Sequence, residues 1–326
     1  MSTNVALPTS VVIVTPAPRR SSAGNRVTAL RWAGLLRQLG IRVRVTTEWR
    51  GPEPRADVLL AVHATRSVPS VLAFAAARPT AGIAILLAGT DIYPDFTPDA
   101  ATMRALERAD ALIALQPRAI EVLPPALRGK ARTIVQSATA LPAVRRTDAF
   151  VACVLAHLRP IKDPLLPFEA LALLPRGLAI EIAVAGRALG DDLATRATAA
   201  TRTDPRARWL GELSRPAARR LLAASHACIV PSTGEGGANV VSEAIAAGTP
   251  ILATRIPGNT GLLGDDWPAL FPPRDAAGLA TLLSTFATDP RSYQALVDRT
   301  IALQHLVQPA REREALRRLL TDLFPR

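Results

Sequence analysis

Residues 149–156 read AFVACVLA, and with them a pattern first met at SVVIVTP (10–16) begins a second time. The pattern is a short apolar run, then a helical stretch, then another apolar run. From 149 onward the runs continue as AIEIAVAG (179–186), ARWLG (207–211), HACIVPS (226–232), PILATR (250–255) and a brief one around ALFPP (269–273). Before 149 they are RVRVTT (42–47), DVLLAVH (57–63), GIAILLA (82–88), ALIALQ (111–116) and ARTIVQ (131–136). Short apolar runs bounded by turn residues suit strands buried on both faces, and helices between them make the sheet parallel. The clearest helical stretch is NRVTALRWAGLLRQLG (25–40), in which Val27, Leu30, Leu35, Leu36 and Leu39 form an apolar stripe that stops at Gly40.

The spacing therefore predicts an α/β chain of two Rossmann-like, doubly wound parallel-sheet domains, the first over 1–140 and the second over 150–308. SATALPAVRRTDA (137–149) has little periodicity and reads as a linker. Helices near 275–287 and 291–304 complete the second domain. The amphipathic AREREALRRLLTDL (310–323), within 309–326, is expected to pack back on the first domain.

A chain of 326 residues is long enough for two domains with full cores. Its net charge of +12 suggests nucleic acid, yet the arginines are scattered over helices and turns without interleaved aromatics, so no nucleic-acid partner is expected. No apolar run approaches the length of a membrane span, and the N-terminal stretch lacks the basic and apolar regions of a signal peptide. The expected location is the cytoplasm. Cys153 and Cys228 both lie in strand-like runs and read as reduced core thiols. Of the 39 basic residues only Lys130 and Lys162 are lysines, so a lysine in a loop stands out.

In parallel sheets the loops after the strand C-termini line the ligand crevice. In the second half these loops are HLRPIKD (157–163), GR (186–187), GEL (211–213), PSTGEGGAN (231–239) and TRIPGNTG (254–261). Gly234, Gly236 and Gly237 let the backbone approach a ligand, and the amides at 236–240 lie where the next helix begins, a place that favours an anion or a sugar hydroxyl. With a helix start near Asn239, Glu243 falls in the first or second turn and can accept two hydrogen bonds from a ribose diol; Glu235 can do the same for a hexose. Either glutamate by itself reads as a surface or helix-end acid; the two together, in this glycine context, read as a ligand site. His157, Arg159 and Lys162 follow the first strand of the domain and can neutralise a diphosphate. The pairs Asp191–Asp192 and Asp265–Asp266 suit helix caps, and no metal site or metal cofactor is expected.

PSTGEGGANVVSEAIAAGTPILAT resembles the E-x7-E signature of retaining GT-B glycosyltransferases, and VLAHLRPIKD resembles their phosphate-binding loop. The resemblance implies two Rossmann-like domains facing a central cleft. It also implies that Glu235 binds the donor hexose, Glu243 the ribose and Lys162 the diphosphate. Gly186, Gly236, Gly237, Ala238 and Asn239 complete the donor side, and Arg159, Lys162 and Glu235 are the expected catalytic set. Two departures stand out: His157 replaces the usual arginine, and AGTDIY (88–93) replaces the His-containing loop that many relatives carry.

GNRVTALRWAGLLRQLGIRVRV (24–45), AGTDIYPD, ALQP (114–117), VQSA (135–138), HLRPIKDP and IPGNTGLLGDDWP (256–268) together resemble the selenosugar synthase family of bacterial selenoneine biosynthesis. That resemblance implies transfer of a sugar from a UDP-sugar, typically UDP-N-acetylglucosamine, to selenophosphate, with possible handover to the next enzyme of that pathway. A small, multiply charged acceptor needs cations and amides. On the crevice side these are Gly24, Asn25 and Arg26 after the first strand, His63 and Arg66 after the third, Thr90 and Asp91 after the fourth, and Gln136 after the sixth. Two other functions fit parts of the pattern: a conventional retaining glycosyltransferase with a carbohydrate or small alcohol acceptor, and a noncatalytic protein that binds nucleotide sugars or nucleic acid. A dehydrogenase is disfavoured, since VTPAPRRSSAGN lacks a G-x-G-x-x-G after the first strand.

Overall fold

The computed structural model describes residues 7–21, 23–51, 55–89, 91–93, 95–142 and 144–324. The chain divides into a unit of Met1–Gln136 with Pro309–Arg326 and a unit of Ser137–Gln308.

In the first unit, strands β1 (Ser10–Val14), β2 (Arg42–Thr46), β3 (Val58–Val62), β4 (Gly82–Leu86), β5 (Ala111–Ala114) and β6 (Ala131–Thr133) form one parallel sheet in the order β2-β1-β3-β4-β5-β6. Helices α1 (Gly24–Arg37), α2 (Val68–Ala77), α3 (Ala100–Arg108), α4 (Arg118–Glu121) and α5 (Pro125–Arg128) connect them. Because successive strand residues face opposite ways, the sheet feeds two cores. Val12 and Val14 join Leu59 and Phe74 on one side. Val11 and Ile13 join Trp32, Leu36, Leu316 and Leu320 on the other.

The buried face of α1 differs from the expected stripe. Leu30 is 46% exposed, whereas Arg26, Ala29, Trp32, Ala33 and Leu36 face inward. The small Ala29 and Ala33 let the helix lie close to the sheet while Trp32 fills the space beside them. This rolls the helix so that Arg26 turns in and Leu30 turns out.

Helix α13 (Pro309–Leu323) belongs to this first unit and packs on α1. Its Glu312 is buried and accepts from Trp32 Nε1 at 2.8 Å and from Arg31 Nε at 2.9 Å. A buried carboxylate is tolerated here because charge-assisted donors meet it.

In the second unit, β7 (Phe150–Leu155), β8 (Ile180–Ala185), β9 (Ala207–Trp209), β10 (Ala227–Val230), β11 (Ile251–Thr254) and β12 (Leu270–Phe271) form a parallel sheet ordered β12-β11-β10-β7-β8-β9. Helices α6 (Leu166–Ala172), α7 (Asp191–Thr203), α8 (Arg215–Ala224), α9 (Asn239–Ala247), α10 (Pro257–Leu263), α11 (Ala276–Thr288) and α12 (Pro290–Ala302) cover it. The expected linker docks here: Arg145 donates to the carbonyls of Ser225 and Gly248, each at 2.9 Å. Cys153 and Cys228 are register partners on β7 and β10, buried and free. No described helix is long and apolar enough to cross a membrane.

In each sheet the winding reverses between two neighbouring central strands, β1 and β3 in the first unit and β7 and β10 in the second. Ligands of open parallel sheets sit beyond the C-terminal ends of such strands.

Candidate functional site

At the reversal point of the second unit, the loops after β7 and β10 are stitched together. Thr233 N donates to Ile161 O at 2.9 Å. Residues Pro160–Lys162 form a 3-10 turn that ends at Asp163, whose φ of 42° is left-handed. A non-glycine residue there signals a constrained loop. Burial, with help from Glu169, raises the Asp163 carboxyl above its ordinary range.

This turn delivers the Lys162 ammonium onto Glu235 Oε1, where the two form an ion pair. Ser232 Oγ donates to the same oxygen at 2.6 Å. Glu235 is 8% exposed, so its carboxylate is held by a cation and a hydroxyl, with Oε1 committed to both. Ser232 is steadied from behind: Thr254 Oγ1 donates to Ser232 O at 2.5 Å, and Asn259 Nδ2 donates to Thr254 O at 3.0 Å. Gly258 closes this support, because a Cβ there would lie 2.0 Å from Glu235 O. Ser232, Thr254, Gly258 and Asn259 were not singled out from the sequence. The signal available was a serine three residues before Glu235 and a glycine within IPGNTG.

Helix α9 starts at Asn239, as the sequence predicts. Its N-cap, Ala238, offers no side-chain oxygen to the first turn. Gly236, Gly237 and Ala238 lead into that turn, and Glu243 sits in its second turn with a side chain 18% exposed, 3.7 Å from Arg215 Nη2. Glu243 thus lies on the same helix that the glycine loop opens.

Gly186 follows β8, where a Cβ would lie 1.9 Å from Ala156 O, so only glycine lets the two loops touch. Beside it, Arg187 N donates to His157 Nδ1 at 3.3 Å, which leaves the ring proton on Nε2. Burial pushes the His157 imidazole below its ordinary range against the pull of Glu212, while Arg187 and Arg159 push the same way as burial. Burial thus disfavours the positive charge that neutralising a diphosphate would ask of His157. Arg159, two residues on, is exposed and supplies the guanidinium of this loop.

The expected acceptor residues of the first unit separate into two groups. Arg26 is buried in the first turn of α1, with Gly24 and Asn25 ahead of it. His63 is 5% exposed and left-handed at φ 78°, and Arg66 is exposed beside it. Burial lowers the His63 pKa while Asp91 opposes the shift.

Two others turn inward. The side chain of Asp91 is fully buried and accepts from the amides of Ala64 (2.7 Å), Ala88 (2.9 Å) and Gly89 (2.7 Å). It ties the loops after β3 and β4 together, which corrects the expectation that it faces an acceptor. Gln136 is likewise corrected: it is 2% exposed, and its Oε1 accepts from Thr28 Oγ1 at 2.9 Å and Arg31 Nη2 at 2.7 Å. Thr90 lies outside the described residues. Among the described residues no group of His, Cys, Asp and Glu could hold a metal ion.

Residues 149–289 match the family model described as "Glycosyl transferases group 1". No curated protein matches the chain by sequence. Among solved structures, the fold is similar to Anabaena Alr3699/HepE in complex with UDP (TM-score 0.76, 17% identity, 96% of this chain and 100% of that one). It is also similar to sucrose-phosphate synthase from Thermosynechococcus elongatus (TM-score 0.79, 15% identity, 97% and 98% covered). A third is the UDP-forming α,α-trehalose-phosphate synthase from Burkholderia xenovorans, in complex with glucose-6-phosphate (TM-score 0.64, 14% identity, 81% and 73% covered). At these identities the likeness is one of fold, and that fold is GT-B: two α/β units, each on an all-parallel six-stranded sheet.

Proposed function

We propose that the chain is a group 1 glycosyl transferase that takes a UDP-sugar and transfers the sugar to selenophosphate, with N-acetylglucosamine as the sugar. The observation that carries the donor half is the meeting of Lys162, Ser232 and Glu235 at the reversal point of the second sheet, inside the segment that matches the family model. The Anabaena structures of similar fold, in complex with UDP or UDP-glucose, support a uridine nucleotide as the donor carrier.

In this reading Glu235 uses the face of its carboxylate that Lys162 and Ser232 leave open to hold the hexose, and Glu243 holds the ribose. The anomeric C–O bond breaks with its electron pair leaving on UDP. Lys162, Arg159 and the amides of residues 236–239 stabilise the growing negative charge, which is the largest electrostatic demand of the step. A selenium lone pair of selenophosphate forms the new C–Se bond, so no hydroxyl needs deprotonating. Water then cleaves the P–Se bond and releases phosphate. No divalent cation is needed, and a chelator is expected to leave the rate unchanged.

The test is a UDP-release assay with a panel of UDP-sugars, with and without selenophosphate, and mass analysis of the product. A selenium-containing sugar with UDP-N-acetylglucosamine supports the reading. UDP release that is indifferent to selenophosphate but responds to a sugar or alcohol overturns the acceptor assignment.

A further inference from the structure

We propose that the first unit carries a built site for a tetrahedral oxyanion at the first turn of α1, with Arg26 as its cation and Thr15 as a hydroxyl partner. Naming that anion as the acceptor rests on the function proposed above; the site itself does not.

Placement comes first. Val11 and Ile13 of β1 face the core shared with α1. The amide of Thr15 continues the strand ladder by donating to Thr46 O at 2.9 Å, so its side chain keeps the same alternation and points to the α1 side, just past the end of β1. Arg26 lies on the inward stripe of α1 with Ala29, Ala33 and Leu36, one turn nearer the helix start. Both residues thus enter the layer between sheet and helix at the end where parallel sheets receive ligands.

Both side chains also carry buried polar atoms without partners. Arg26 is 8% exposed, and its Nε and Nη1 are buried with nothing to donate to. Thr15 is fully buried, and its hydroxyl has no partner either. An arginine five residues further along the same helix shows the usual remedy: Arg31 meets Glu312 and Gln136. Arg26 has no such compensation among the described residues, and a buried charge left unpaired is strongly unfavourable.

The surroundings add to the positive potential. The positive end of the 14-residue α1 lies at this turn, and Ala23 at its N-cap supplies no side-chain oxygen. A helix N-terminus, a buried guanidinium and an idle hydroxyl all ask for an occupant of negative charge with several acceptor oxygens. A tetrahedral oxyanion answers the planar fork of arginine and can accept from the hydroxyl as well.

The experiment measures melting temperature in phosphate-free buffer and on titration with inorganic phosphate, with UDP as a separate arm. For the wild-type protein, phosphate is expected to raise the melting temperature in a saturable way. In Arg26→Met that rise disappears, the UDP-dependent rise remains, and the phosphate-free protein melts no lower than wild type because a buried unpaired charge has gone. Arg26→Lys keeps part of the phosphate response, and Thr15→Val weakens phosphate binding by roughly ten- to a hundredfold, the share of one hydrogen bond to a charged group. A phosphate response that survives in Arg26→Met, or none in wild type, overturns the site. So does joint loss of the phosphate and UDP responses in Arg26→Met, which would make the anion the nucleotide's own diphosphate. If phosphate and UDP behave as expected yet no sugar reaches selenophosphate, the site stands and the acceptor assignment falls.

Discussion

Gly258→Ala isolates the support behind Glu235. In a helix such as α10 the change from Gly to Ala ordinarily stabilises by about 1 kcal/mol. Here the sign reverses, because the new methyl would meet Glu235 O at 2.0 Å and Glu235 C at 2.6 Å, both backbone atoms that no rotamer change can move. Overpacking of this kind costs about 1–3 kcal/mol, so the propensity gain is cancelled or exceeded. Restoring an ordinary contact of 3.4 Å requires the two backbones to part by 1.4 Å (3.4 minus 2.0). That movement is enough to break the 2.6 Å bond from Ser232 Oγ and to pull Glu235 off Lys162. A misplacement of about 1 Å at a reacting centre costs on the order of a hundredfold in rate. The expected result is a hundredfold fall in UDP release with a small or unfavourable change in melting temperature. Gly34→Ala, in α1 with nothing within 4 Å of the new Cβ, is the control, and it should gain about 0.5–1 kcal/mol with turnover unchanged. Wild-type turnover in Gly258→Ala, together with a raised melting temperature, would refute the argument.

Ser232→Ala removes one of the two groups on Glu235 Oε1 and should weaken UDP-sugar binding by about 1.5–3 kcal/mol, read by calorimetry; Ser232→Thr should recover part of it. Glu312→Ala strands Arg31 and the Trp32 indole and should lower unfolding free energy by about 3–5 kcal/mol in a urea titration. Burial holds the imidazoles of His63, His157 and His226 below the ordinary histidine range. The unfolded chain therefore binds these protons at higher pH than the native one, so stability is complete above about pH 6.5 and falls as pH drops from there toward the native values. Urea midpoints between pH 7.5 and 5.5 should show the fall, and a smaller one in His226→Gln; a flat or rising profile would contradict it.

The central strands β3, β4, β5, β10 and β11 were legible because each is a compact apolar run that a parallel sheet buries on both faces, whereas the edge strands β2, β6 and β9 keep exposed arginines and are marked by shorter or alternating runs. The start of α9 was legible for a similar reason, since a glycine loop before good helix formers leaves few alternatives. The roll of α1 was not. Val27 and Leu30 have the right chemistry for the inward face, but Trp32 between two alanines decides the angle, and that is a packing result rather than a periodicity. Asp91 and Gln136 show a second limit. Their positions at strand ends were correct, yet a carboxylate or amide beside unsatisfied amides and hydroxyls serves the protein's own backbone and side chains first. The resemblance put Lys162 and Glu235 on the donor side with separate roles, whereas their ion pair and the part played by Ser232 needed the geometry.

The placement of α13 makes the first unit discontinuous along the chain, while the second is a single continuous stretch, Ser137–Gln308. Leu316, Leu319, Leu320 and Leu323 of α13 belong to a core that β1 and α1 began some three hundred residues earlier. On the ribosome the second unit can therefore finish folding while the first still has a bare apolar face, waiting for residues 309–323. The segment Ser137–Gln308 is the natural fragment to express separately. The first unit becomes a fair fragment only when α13 is joined to it by a short tether, which turns the chain's order of synthesis into a choice open to the experimenter.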